Sequence, residues 1–331
     1  MANNDIITFI KNNLTHDFEH DFNYLLKELI HYQSLVGGEE IVKEIFDIIK
    51  TDLGIEGLNR LKEIETKAFN ERINKYNEGI KLVREHKNKE ALDIFVNLID
   101  TFGVKFSEDA PVYNFQNIVE SIINNQLKQP DVKSFKQIRE PIAGYYFHCA
   151  LIFFQEKDFE ECSKMLDKVL KFNPVYVEGL LLKSECCLKE GYSNLFLELV
   201  NEALTVAYTR TQLAKCYFLL GKYYLDLGFR ELALALLISS KGSEQTVFID
   251  SLIKDAAGGK PLPYESTEKI KECIVNNNIQ FGPNPKIIMI ISKLIEEARK
   301  RKDVKLLRFL LRLQVDLTKD KNLENELKSL G

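Results

Sequence analysis

The chain has 331 residues, 45% of them hydrophobic, which is enough for one long helical array or two domains with real cores. A formal net charge of −4 and a pI near 5.9 run against a general nucleic-acid binder. Residues 1–11 lack the basic and apolar segments of a signal peptide, and the longest apolar runs, such as Ile287–Ile291, fall far short of the ~20 residues of a membrane span. The six cysteines are scattered without framework spacing, so a reducing cytoplasm is the expected compartment, with no membrane and no nucleic acid as partner.

Apolar residues recur at i, i+3, i+4 and i+7 along the whole chain, and sustained two-residue alternation is missing, so an all-α fold is predicted. Residues 1–70 read as an N-terminal helical region of three or four helices, with breaks near Thr15–Asp17, Val36–Gly38 and Asp52–Gly57. A helix pair follows over 71–105, carrying Gly79, Leu82, Ala91, Phe95 and Leu98. Next comes a polar insert over 106–142, containing Pro111 and Gln129-Pro130.

The stretch 143–247 repeats itself every 34 residues, as Ala143–Tyr176, Val177–Arg210 and Ala214–Val247, with a three-residue slip before the last. Asn173-Pro174 closes the first of these units, and Leu220-Gly221 marks the first helix of the third. The last unit places Tyr217, Leu220, Gly221, Tyr224, Ala233 and Leu237 where the first has Tyr146, Cys149, Ala150, Phe153, Cys162 and Leu166. The middle unit keeps Leu180, Ser184, Cys187, Val200 and Ala203, but Phe196 stands where a small residue is expected, which puts a tight helix crossing there in doubt. Residues 248–331 hold Gly/Pro linkers and C-terminal helices. Ser266 and Asn284-Pro285 are the predicted helix starts, and a hairpin over Lys286–Lys300 and Val304–Thr318 caps the array.

Signs of chemistry are few. Cys149, Cys162 and Cys187 fall on core positions, and no C-x-x-C pair exists, so no metal site and no cofactor are expected. His16 and His20 share a helical face without a third ligand signalled by spacing, and His148 and Cys149 are neighbours that point apart. Gly37-Gly38 and Gly258-Gly259 read as helix-ending turns rather than phosphate loops. The basic run from Arg299 to Arg312 reads as a hairpin turn whose cations favour a helix C-terminus.

The period, the helical pattern and the closing proline together resemble the tetratricopeptide repeat, a helix–turn–helix unit of about 34 residues. The order of features, ending in Gly282–Pro285 before a last hairpin, also resembles a group of uncharacterised bacterial repeat proteins. The first resemblance implies an α-solenoid of antiparallel helix pairs in a right-handed superhelix, whose first helices line a binding groove. Carried onto this sequence, the groove positions include Tyr76, Ile80, Arg84, Phe147, Leu151, Phe154, Leu181, Glu185, Lys189, Phe218 and Lys222. The basic carboxylate clamp of chaperone-binding members is missing, because its places hold Phe147/Leu151, Leu181/Glu185 and Phe218/Lys222.

A non-catalytic scaffold that binds a protein or peptide through this groove is therefore expected, with a homodimer as a second arrangement. The alternatives are a peptide-sensing regulator with the N-terminal helices as effector, and an enzyme whose site is invisible in sequence. The insert or the N-terminal helices are candidates to fill an apolar groove from within the chain.

Overall fold

A computed structural model describes residues 3–33, 35, 37–102, 111–241, 246–264 and 266–330. Val36, the Gly103 end of the first helix pair and the opening of the insert to Ala110 lie outside the described residues.

Seventeen α-helices follow one another among the described residues. They are α1 (Asn3–Asn12), α2 (Phe18–Gln33), α3 (Glu39–Asp52), α4 (Gly54–Arg84), α5 (Asn88–Asp100), α6 (Ile118–Ile123), α7 (Ile142–Gln155), α8 (Phe159–Phe172) and α9 (Val177–Lys189). The rest are α10 (Ser193–Val206), α11 (Arg210–Asp226), α12 (Arg230–Ser239), α13 (Thr246–Ala257), α14 (Thr267–Asn276), α15 (Pro285–Arg301), α16 (Val304–Thr318) and α17 (Lys321–Ser329). The insert adds two-residue strands, β1 (Val112–Tyr113) and β2 (Lys136–Gln137), which pair with each other, and a π-helical turn over Asn124–Lys128.

The chain divides into two compact units, 1–112 with 138–152, and 113–137 with 153–331. In the first, Ile10, Phe22, Leu25, Ile45 and Ile49 build a core from α1, α2 and α3. Helix α4 runs unbroken across residue 70, so the last N-terminal helix and the first repeat helix form one rod. Helix α5 folds back on α4 at Gly79, where an added Cβ would lie 2.6 Å from the Phe95 ring. No side chain larger than hydrogen fits that crossing. Arg72 fastens the pair: its guanidinium donates to the Leu98 carbonyl at 2.7 Å, to Thr101 Oγ1 at 2.8 Å and to Glu140 Oε1 at 2.5 Å.

In the second unit α9 pairs with α10 and α11 with α12, and consecutive pairs also touch through α8–α9 and α10–α11. Gly221 repeats the role of Gly79, since its Cβ would meet Leu237 Cγ at 2.8 Å. The doubt over the middle pair is removed. Phe196 is fully buried with its ring 5.0 Å from Tyr223 of α11, and α9 and α10 pack along their length beside it. Ser184, the small residue of α9, turns its hydroxyl back to the Leu181 carbonyl at 2.6 Å and asks for no partner on α10. Among the described residues the chain is all-α, built largely of helices packed on their neighbours in sequence.

Two C-terminal helices start at the residues that sequence names, while α13 runs on to Ala257, into the stretch read as a linker. Ser266 accepts from Lys269 N, Asn284 accepts from Lys286 N ahead of Pro285, and α15 ends at a left-handed Lys302. Helices α15 and α16 form the expected hairpin, with α17 packed on α16. Arg299, from the basic run, closes a bidentate pair with Glu326 of α17 at 2.8 and 2.5 Å.

Candidate partner-binding groove

The groove positions fall on the first helices of successive pairs, and the structure treats them in two ways. In the first unit Tyr76 is turned inward. Its ring lies edge-on to Tyr145 at 4.9 Å and to His148 at 5.4 Å, and burial pushes its hydroxyl up to about 12. Its oxygen sits 3.2 Å from His148 Nδ1, which also lies 2.8 Å from the Gly144 carbonyl. Burial, against the help of that carbonyl, holds the His148 imidazole below its ordinary range. This histidine therefore belongs to an aromatic core cluster and not to a dyad with Cys149. Ile80, Phe147 and Leu151 are half-buried and Arg84 is exposed.

In the second unit five of the groove residues lie on α9 and α11, and four of these draw together. Glu185 is half-buried, and burial raises its carboxyl, opposed by the nearby charges of Lys222 and Lys189. The Lys222 ammonium stands 5.6 Å over the Phe218 ring, a cation–π distance. Phe218 in turn lies 6.1 Å from Phe248 of α13, an exposed ring that sequence did not single out. The fifth, Leu181, is buried within the apolar cluster that also contains Tyr113, Phe115, Val119 and Ile123 of the insert. Phe154, also in this unit, is half-buried and edge-on to Phe159 at 5.6 Å.

The insert does occupy the repeats, along the turns that join one helix pair to the next. Asn114 N donates to the Phe172 carbonyl at 2.8 Å, and α6 packs on α15. Asn117 caps α6 through Oδ1 and donates its amide to Tyr208 Oη at 2.9 Å. Glu120, only 1% exposed, then collects three donors: Gln116 N at 2.7 Å, Asn173 Nδ2 at 2.8 Å and Tyr208 Oη at 3.0 Å. Burial nonetheless dominates and pushes the Glu120 carboxyl up to about 7. Lys128 forms an ion pair with Glu202 of α10.

Sequence reasoning missed this polar knot, although two signals for it exist. Asn117 and Glu120 stand at capping-box spacing, and Asn173 precedes the proline that closes a repeat. Both residues have a structural use at the local turn and a second use across the insert.

The remaining candidates resolve as local structure. His20 Nδ1 lies 3.2 Å from Asp21 Oδ1, and the buried Asp21 accepts from Thr15 N and His16 N at 2.8 Å each, which fixes the α1–α2 turn. Among the described residues no grouping of His, Cys, Asp and Glu could hold a metal ion, and no helix is long and apolar enough to cross a membrane.

No family model matches this sequence, and no curated protein is recognisably similar to it. Among solved structures, the crystal structure of the P58(IPK) TPR domain aligns over 100% of this chain and 97% of its own, at 14% identity and a TM-score of 0.27. So distant a superposition adds nothing to the helix pairing described above, which carries the fold.

Proposed function

We propose that the protein is a non-catalytic scaffold whose second unit binds a peptide segment of another protein across the open ends of α9 and α11. The observation that supports this is the convergence of Glu185, Lys189, Phe218 and Lys222, with Phe248 beside them. Two exposed lysines around an aromatic floor favour a segment with an apolar side chain and acidic flanks. The apolar side chain would supply most of the affinity and the lysines would set orientation.

Catalysis has no part in this reading. The buried polar groups Glu120 and Asn173 are spent on holding the insert, and five of the six cysteines are buried. The test is fluorescence anisotropy against a small library of acidic–apolar peptides. Binding that falls with salt and is lost in a Phe218→Ser, Lys222→Glu variant supports the reading. Equal binding of basic and acidic peptides, or none, sinks it.

A further inference from the structure

We propose that Cys162 and Cys186 form a reversible thiol–disulfide site that staples one helix pair to the next. Their sulfurs lie 3.1 Å apart, with Cys162 on α8 and Cys186 on α9. A disulfide bond is ~2.05 Å long, so bond formation asks for a shift of about 1 Å, within side-chain rotation at a helix contact. The two helices already pack against each other. Cys187 is no competitor, because it points into the central apolar cluster while its neighbour Cys186 faces α8.

Neither sulfur has any exposed surface, which sets the conditions of the reaction. A bulky oxidant is excluded until α8 and α9 part locally, whereas a diffusible peroxide is small enough to enter through brief openings. One thiol attacks the peroxide, breaking its O–O bond, to give a sulfenic acid and one water. The second thiol then displaces the sulfenic oxygen, forming the S–S bond and releasing a second water. Two thiols lose two protons and two electrons, and the peroxide takes up both to become two waters. The product fixes the α8–α9 contact and with it the helix that carries Leu181, Glu185 and Lys189.

The experiment treats the native, full-length protein with hydrogen peroxide. Alkylation in guanidine and peptide mass mapping follow. The expected product keeps its circular dichroism, has lost two of its six thiols and weighs less by two hydrogens. Trypsin should release Asp158–Lys164 joined to Ser184–Lys189, and the thermal midpoint should rise until a reductant reverses it. Cys187→Ser should keep the cross-link and Cys162→Ala should abolish it. Six intact thiols, a link through Cys187 or between chains, or over-oxidation of Cys162 without a link would each overturn the proposal. The Cys187→Ser arm retains this power even if Cys162→Ala fails to fold.

Discussion

Along α9, Val177 and Gly179–Leu182 are buried, whereas Glu185 is half-buried and Lys189 is exposed. Helix α11 repeats the pattern, with Gln212–Ala214 buried at its start and Lys222 and Asp226 exposed near its end. The enclosed ends sit by the turns that hold Asn173 and Tyr208, where the insert supplies a neutral-leaning carboxyl that accepts from both residues. The open ends carry Glu185 with the charges of Lys222 and Lys189 near it. These first helices are thus divided in two, enclosed at one end and open at the other.

The sharpest way to break this division is to remove Glu120. Glu120→Ala strands the buried donors of Asn173 and Tyr208, frees the backbone N–H of the exposed Gln116, and leaves a small cavity. Each unmet donor costs on the order of 1–3 kcal/mol, so a total loss of about 4 kcal/mol is expected in urea unfolding. The same variant should expose Tyr113–Gln137 to protease while α9 and α11 stay protected. Unchanged stability would mean that the insert is only draped on the repeats.

A second test uses pH. The Glu120 carboxyl is held near 7 in the fold but titrates near 4.5 in the unfolded chain. Between these values the folded state carries the extra proton, so this group's contribution is fully present below pH 4.5. It is lost as pH rises through 7, by about 3 kcal/mol. Glu120→Gln cannot titrate. The stability of wild type relative to that variant should therefore fall from pH 4.5 to pH 7.5, and a rising difference would reverse the assignment.

The glycine crossing gives a smaller effect on the same scale. Gly221→Val forces methyl groups against Leu237, and overpacking of this kind costs about 2 kcal/mol. Gly191→Ala offers a contrast, since that turn has open space but a φ of 89°, and a loss of about 1 kcal/mol is expected from backbone strain alone. Thermal midpoints of both variants check the ranking.

What was legible in sequence is what depends on local spacing. Gly79, Gly221 and the 34-residue period announced the helix pairs, because a crossing that close admits only hydrogen at one position. Ser266 and Asn284 announced helix starts, because their side chains bond within three residues of themselves. The Glu120 knot was not legible, because Asn173 and Tyr208 lie 53 and 88 residues away and no periodic signal links them. Phe196 misled for a related reason. The rule for its position assumes that a large side chain must enter the α9–α10 crossing, yet its ring leaves toward Tyr223 on the next pair. Of the groove positions, exposure was not legible, since Leu181 is buried in a cluster that draws on residues of the insert far away in sequence.

The last and smallest stability effect is the most informative about function. Lys222→Glu removes an exposed cation that stands over the Phe218 ring, so unfolding should change by less than about 0.5 kcal/mol. The substitution also places a second carboxylate near Glu185, whose own carboxyl is already raised by burial and loses the counter-charge of Lys222. At the open end the charge therefore changes by two units with the fold intact. An acidic peptide should lose affinity by roughly tenfold, about 1.4 kcal/mol, with most of the change in the association rate. A matching substitution at the closed end, Lys128→Glu, should do the opposite. It breaks the pair with Glu202, costs measurable stability and leaves peptide affinity alone. If Lys128→Glu weakens peptide binding as much as Lys222→Glu does, the two ends are not independent, and a partner that displaces the insert becomes the better account.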